Sequence, residues 1–293
     1  MVSVEADVVF GIGGGRDLRL DIYRPDAPEA GATAVLMWHG GGWSRGDRTR
    51  VAPQASALAE QGFIVLSCEY RLNGEALWPA QIHDTKAAIR WTRANADRLG
   101  IDPDKIAGMG FSAGAHLTLM AAGTPTVAAF EGDGGNPGVS SSIQAAVAVF
   151  PPTLLFAGDD RPSGGSPANA LAPNAATEDL AREASPLEYV TADYPPTFLL
   201  HGTADKVVPV SATFRMADAL RGLRAPVETH VFHGQPHGFS SFPSFVPLVA
   251  AEAANFLRRT LSDPDLTTRE FDEYTAENAA RAAATTASAA GGD

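Results

Sequence analysis

The pentapeptide Gly110-Phe111-Ser112-Ala113-Gly114 joins an apolar run, Ile106–Phe111, to a stretch of small apolar residues, Ala113–Gly123. The run reads as a strand and the stretch as a helix. A serine flanked by glycines at such a junction fits a chain that reverses sharply, where larger neighbours would collide. The turn lifts the Ser112 hydroxyl above a sheet edge and leaves the first helical amide, Ala113, without an intrahelical partner. Ser112 is therefore a candidate nucleophile, and the chain is restricted to folds that feed strands into helices. The same residues also fit Gly-x-Gly-x-x-Ala over Gly108–Ala113, a dinucleotide fingerprint with Glu131 as its ribose ligand. That reading is set aside. Glu131 falls in a glycine-rich loop, and the unit is not the first strand-to-helix turn of the sheet.

The rest of the chain keeps the alternation. Val4–Phe10 and Leu18–Tyr23 form an expected hairpin across the turn-rich Gly11–Gly15. Buried strands are expected at Ala34–Trp38 and Phe63–Tyr70, and further strands at Ile143–Phe150, Thr197–Leu200 and Val227–Phe232. Helices are expected at Ala52–Gln61, Ser211–Leu223 and Ser244–Leu261, with a long amphipathic one over Gln81–Leu99. The fold class is α/β: a mostly parallel central sheet, helices on both faces and an antiparallel hairpin at one edge. Residues 151–190, rich in proline and alanine, read as a small lid-like insertion over the strand ends. The catalytic unit is expected over 1–261. Residues 262–293 form a peripheral tail with a short helix near Thr268–Ala284, disordered or packed on a neighbouring chain.

Composition narrows the functions. Hydrophobic residues are 45% of the 293 and charged ones 19%, enough for a large core. Lys plus Arg number 22 against 34 Asp plus Glu, a net charge of -12. That balance argues against nucleic-acid and anionic-membrane partners, both of which demand basic surface. The single cysteine, Cys68, permits no internal disulfide and no cysteine zinc site, and reads as a buried thiol. His233 and His237 are four apart but fall in a loop, so no histidine pair sits at metal-ligand spacing on an expected helix, and neither a metal nor an organic cofactor is expected. With no basic-then-apolar leader and no run of membrane-spanning length, a cytoplasmic location is expected.

A serine nucleophile needs a base, and the base needs an orienting acid. Asp205 follows the strand Thr197–Leu200 and falls at the carboxyl edge of the sheet. The loop after Val227–Phe232 holds both His233 and His237, and either is placed to be the base. His237 is preferred, lying deeper in the loop between Pro236 and Gly238. His39-Gly40-Gly41-Gly42-Trp43, after the strand Ala34–Trp38, brings backbone amides close to a developing oxyanion. His39 itself reads as a brace, His116 as packed, His201 as a strand-end residue. Trp43, Trp78, Phe111, Phe150 and Phe239 are candidate substrate-pocket walls, each equally consistent with core.

Taken in order, HGGGW at 39–43, YRL at 70–72, PAQIHDTKAAIRW at 79–91, GFSAGAHL at 110–117, HGTADKVVP at 201–209 and HGF at 237–239 resemble the α/β-hydrolase superfamily. Within it they resemble hormone-sensitive-lipase-type esterases and compact bacterial feruloyl-esterase-like carboxylesterases. The resemblance implies Ser112 as nucleophile, Asp205 as acid, His237 as base, and Gly41, Gly42 and Ala113 as oxyanion donors. Phe111 replaces the Asp usual before the nucleophile in the lipase-type branch, and the segment before HGGGW is too short for that branch's cap. Both departures favour the compact branch. The expected activity is hydrolysis of small carboxylic esters, short-acyl ones foremost, with feruloyl or acetylxylan esters as an alternative. An arylformamidase or peptidase would use the same machinery, and a non-catalytic binding module would keep the fold alone. The terminal helix and tail are the candidate surface for a homodimer.

Overall fold

The computed structural model describes residues 1–156 and 168–290. Eight strands among them form one sheet: β1 Val2–Gly13, β2 Arg16–Pro25, β3 Ala32–Trp38, β4 Ile64–Cys68, β5 Ile101–Phe111, β6 Ala145–Val149, β7 Thr197–Gly202 and β8 Val227–Phe232. Their order is β1-β2-β4-β3-β5-β6-β7-β8. β1 pairs antiparallel with β2 and β2 with β4, whereas every pair from β4 to β8 is parallel. The strand order reverses between β3 and β5, and such a switch point opens a crevice at the carboxyl ends.

The helices are α1 Ala52–Ala59, α2 Ala80–Ala94, α3 Ala96–Leu99, α4 Ala113–Gly123, α5 Ala168–Leu171, α6 Glu178–Glu183, α7 Ser211–Gly222, α8 Phe245–Leu257 and α9 Leu266–Ala290. Period-2 alternation splits the strand side chains between two cores. Ala34, Leu36 and Trp38 of β3 join α2, α4 and α7 on one face, while Val35 and Met37 join α1 and α8 on the other. Cys68 is buried, and desolvation raises its thiol pKa well above the ordinary value.

Three expectations are modified. The helix expected over Gln81–Leu99 is divided at Asn95, whose Nδ2 donates to Trp91 O at 2.8 Å and competes with the helical backbone. Nor is α2 amphipathic. Asp84, Lys86 and Arg90 are all buried, Asp84 against Arg71, and Lys86 and Arg90 against Glu131. The tail carries the long helix α9, with Phe271 and Tyr274 exposed, instead of a short one. In the expected lid, 157–167 lie outside the described residues. The described remainder packs on α4 and on Trp78 just before α2: Ala184 O meets His116 Nε2 at 2.6 Å, and Trp78 Nε1 donates to Glu183 at 2.9 Å. Among the described residues no helix is long and apolar enough to cross a membrane.

Candidate active site

Ser112 sits between β5 and α4 with φ 53 and ψ -115, a positive φ that a non-glycine residue adopts only under constraint. The constraint is visible in its neighbours. A Cβ on Gly110 would come within 2.2 Å of Gly114 O, and one on Gly114 within 2.1 Å of Trp38 O. Only glycine lets β5 turn into α4 this close to the end of β3. Ser112 N donates to Val149 O at 3.0 Å, tying the turn to β6.

Three loops at the same sheet edge meet there. His237 Nε2 lies 2.9 Å from Ser112 Oγ, and its Nδ1 lies 2.7 Å from Asp205 Oδ2. With Nδ1–H donating to the carboxylate, Nε2 is left to accept the serine proton. The Asp205 side chain is fully buried. Its Oδ1 accepts from Val207 N and Val208 N at 2.8 and 2.9 Å. Burial alone would raise this carboxyl's pKa, but hydrogen bonds from His201 and His237 and the backbone overcome it and hold the group well below the usual carboxylate range. Phe150 packs against the His237 ring, with centroids 4.6 Å apart. His233 is exposed and makes no contact with Ser112 or Asp205 among the described residues.

Sequence reading missed the part of His201. Its buried ring reaches Asp205 Oδ2 at 3.2 Å through Nε2, which also meets Val208 O at 3.0 Å, while Nδ1 meets Thr213 Oγ1 at 2.7 Å. The signal was its position four residues before Asp205, at the end of β7.

The glycine loop follows β3 directly. Gly41 has φ +137, and a Cβ there would meet Arg45 O at 1.9 Å; Gly42 has φ +61. Neither amide donates a hydrogen bond among the described residues. Ala113 N, first in α4, has no intrahelical acceptor. His39 braces the loop: its ring stacks on Tyr70 with centroids 4.5 Å apart, its Nδ1 lies 2.8 Å from Gly40 O, and Tyr70 Oη donates to His39 O at 2.9 Å. Burial lowers the His39 pKa from its ordinary value, against the opposing pull of the Gly40 carbonyl.

A cavity of about 270 Å³ opens beside Ser112, lined by Gly40–Gly42, Gln54, His237 and Ser240 among others. Phe111 and Phe150 line it, but Trp43, Trp78 and Phe239 do not. Phe239 is fully buried behind Phe150, against Phe232 and Phe245. Trp43 and Trp78 lie in the core on the other face of the sheet, edge-on to His116. Aromatic residues beside a motif satisfy core packing as readily as a pocket, and for these three packing accounts for the position.

The BD-FAE family model matches residues 20–220. Esterase LipQ of Mycobacterium tuberculosis is 32% identical over 264 residues, covering 85% of this chain and 61% of LipQ. The chain spans about half to three fifths of the length of the first curated relatives it matches. A truncated carbohydrate esterase from gut microbiota superposes with a TM-score of 0.76 at 26% identity, over 87% of this chain and 96% of that one. The propionate-bound esterase Est2 of Thermogutta terrifontis gives 0.73 at 28% identity, over 89% and 94%. The chain has the α/β-hydrolase fold and belongs to the BD-FAE family.

Proposed function

We propose that this chain hydrolyses small carboxylic esters, short-acyl ones foremost, through an acyl-enzyme on Ser112. The continuous run from Ser112 Oγ through His237 to Asp205, at 2.9 and 2.7 Å, carries the reading. His237 Nε2 takes the serine proton as Oγ attacks the ester carbonyl, and Asp205 steadies the imidazolium that forms. The oxyanion is met by the amides of Gly41, Gly42 and Ala113. Collapse expels the alcohol, protonated by His237. Water then attacks the acyl-enzyme by the reverse proton path and releases the acid.

The relatives favour esters over amides, since LipQ and Est2 are named esterases and Est2 is seen with propionate. A cavity of about 270 Å³ suits a short acyl chain. Acetylated-sugar and feruloyl esters belong in the same panel, because the neighbour with TM-score 0.76 is a carbohydrate esterase. The test compares turnover of p-nitrophenyl acetate and butyrate with that of N-formylkynurenine and aminoacyl anilides. Ester turnover, with labelling of Ser112 by a fluorophosphonate, supports the proposal. Amide turnover exceeding ester turnover moves the chain to the formamidase or peptidase reading. Inertness to all of them, with no label, leaves a binding module.

A further inference from the structure

Two guanidinium groups, those of Arg45 and Arg50, stand among the walls of the cleft beside Ser112. Both side chains are exposed, and neither has a hydrogen bond or ion pair among the described residues. Five other arginines, Arg16, Arg19, Arg48, Arg71 and Arg90, each meet a carboxylate, and the exposed Arg221 and Arg224, which meet none among the described residues, do not line the cleft. The described residues lining the cleft include no Asp or Glu, in a chain whose net charge is -12. Neither Asp205 nor Asp47, which lies between Arg45 and Arg50 in sequence, is among those lining residues. Asp205 lies beneath His237 with both oxygens bonded, and Asp47 accepts from Thr49 N and Oγ1.

The floor is polar as well. Gln54 is buried, its Nε2 donates to Ser240 O at 3.2 Å, and its Oε1 has no partner. Arg50 also lies just before α1, whose N-terminus adds partial positive charge on the same side. The apolar residues Val51, Phe111, Phe150 and Val207 line the cleft too, and the positive, polar wall stands apart from them in what it can bind. It suits an anion, and planar guanidinium groups match a carboxylate best.

We propose that this cleft selects esters whose non-reacting part carries a carboxylate, held by Arg45 and Arg50 while Ser112 attacks the ester carbonyl. The inference rests on the hydrolytic reading above. The bound carboxylate is unchanged by the reaction. Only the ester C–O bond is broken, and water supplies the hydroxyl of the released acid and the proton of the released alcohol.

Two matched pairs test it and tell on which side of the scissile bond the charge lies. 4-Acetoxybenzoate against 4-acetoxybenzamide puts the carboxylate on the alcohol. Monomethyl succinate against methyl succinamate puts it on the acyl group. In at least one pair the anionic member is expected to have the higher kcat/KM at low salt by about tenfold, the combined effect of two exposed charge pairs. That preference should shrink toward unity in 1 M NaCl, where exposed charges are screened. The double variant Arg45→Gln/Arg50→Gln should lose it, Arg45→Lys/Arg50→Lys should keep most of it, and Arg221→Gln, on the exposed face of α7, should leave it as it is. Misfolding lowers both members of a pair together and does not move the ratio; the salt dependence of the unaltered protein then decides. A ratio near unity in both pairs, or one unmoved by the double Gln variant and by salt, overturns the proposal while neutral-ester turnover leaves the esterase reading standing. Turnover of no member of either pair, and none of p-nitrophenyl acetate, sinks the esterase reading and this inference with it.

Discussion

His201 and His237 hold the same oxygen of one buried carboxylate: His201 Nε2 lies 3.2 Å and His237 Nδ1 2.7 Å from Asp205 Oδ2. The two rings come from different segments, His201 from β7 and His237 from the loop after β8. His237 is the expected base, and His201 a residue with no expected part. Nε2 of His201 also faces Val208 O, so its proton points outward to two acceptors, and Nδ1 accepts from Thr213 Oγ1. In the proposed mechanism His201 thereby fixes Asp205 before Asp205 orients His237.

Replacing His201 should therefore act through Asp205. A hydrogen bond to a charged group contributes about 1.5–3 kcal/mol, so His201→Gln, which keeps a donor in poorer geometry, should lower kcat by about tenfold. His201→Phe should also unfold more easily, by about 1–3 kcal/mol for each partner left unpaired, Val208 O and Thr213 Oγ1 among them. Ester kinetics at several pH values and thermal melts of both variants separate positioning from stability. Equal kcat in all three proteins would remove His201 from the site.

Ser112→Ala and His237→Ala should each lower ester turnover by about 10⁴-fold or more, and Asp205→Asn by about 10⁴-fold, because the amide favours the wrong tautomer of the imidazole. His233→Ala should change it less than about twofold, as expected for an exposed surface substitution. Steady-state rates on p-nitrophenyl butyrate give the ranking, and a severe loss in His233→Ala would reassign the base.

The two loop glycines should respond unequally. At Gly41 a Cβ would lie 1.9 Å from Arg45 O, so Gly41→Ala must displace the loop backbone. The loss of one aligned oxyanion donor costs about 10²–10³-fold in kcat. At Gly42 the nearest atom to a new Cβ is Ser44 Oγ at 3.9 Å, so Gly42→Ala meets only the strain of φ +61, about 1 kcal/mol. Gly41→Ala should therefore lose far more activity, while Gly42→Ala should show mainly a small fall in melting temperature. The opposite order would mean that the loop does not face the oxyanion as drawn.

Lys86 is fully buried and Arg90 nearly so, and both lean on Glu131, which also accepts from Ser141 Oγ at 2.8 Å. Desolvation raises the Glu131 pKa, but Lys86, Ser141 and Arg90 together pull it below its ordinary value. A carboxyl whose folded pKa is depressed contributes stability that is full above its unfolded pKa, about 4.3, and is lost as pH falls through the lower folded value. Glu131→Gln strands two buried cations and should cost about 3 kcal/mol near neutral pH, or about 6–12 °C in melting temperature. The gap between variant and unaltered protein should narrow below about pH 4, where the native carboxylate itself begins to protonate. A gap that stays constant across that range would mean that the ion pairs do not account for the difference.

What could be read along the chain was the order of elements and the motifs that interrupt it. A glycine pattern such as Gly110 and Gly114 records a backbone constraint locally, which is why the Ser112 turn was legible. The buried charges of α2 were not, because periodicity marks Asp84, Lys86 and Arg90 as solvent-facing while their partners, Arg71 and Glu131, lie many residues away. The same non-locality hid His201, whose part depends on where Asp205 and Thr213 come to lie. Aromatic residues near the motifs divided between cleft and core, since Phe150 and Phe239 differ only in which neighbour covers them.

The tail bears on where the catalytic unit ends. α9 follows a π-helical turn at Arg258–Ser262 and starts beside Ala27–Thr33, next to the amino end of β3. Ser112 stands at the carboxyl end of the sheet, and seven residues of β3, about 20 Å of extended chain, separate the two. Phe271 and Tyr274 of α9 are exposed, whereas Leu257 and Leu261 before it are buried in the core of α1 and α8. A chain ending at Asp263 keeps every residue of both cores. It should hydrolyse p-nitrophenyl butyrate at an unchanged rate and melt within about 2 °C of the full chain, as expected when only exposed surface is removed. Size-exclusion chromatography of the two chains shows in addition whether Phe271 and Tyr274 form a contact between copies, since only the full chain would then elute as a dimer. A large fall in turnover or melting temperature on truncation would place the tail inside the catalytic unit.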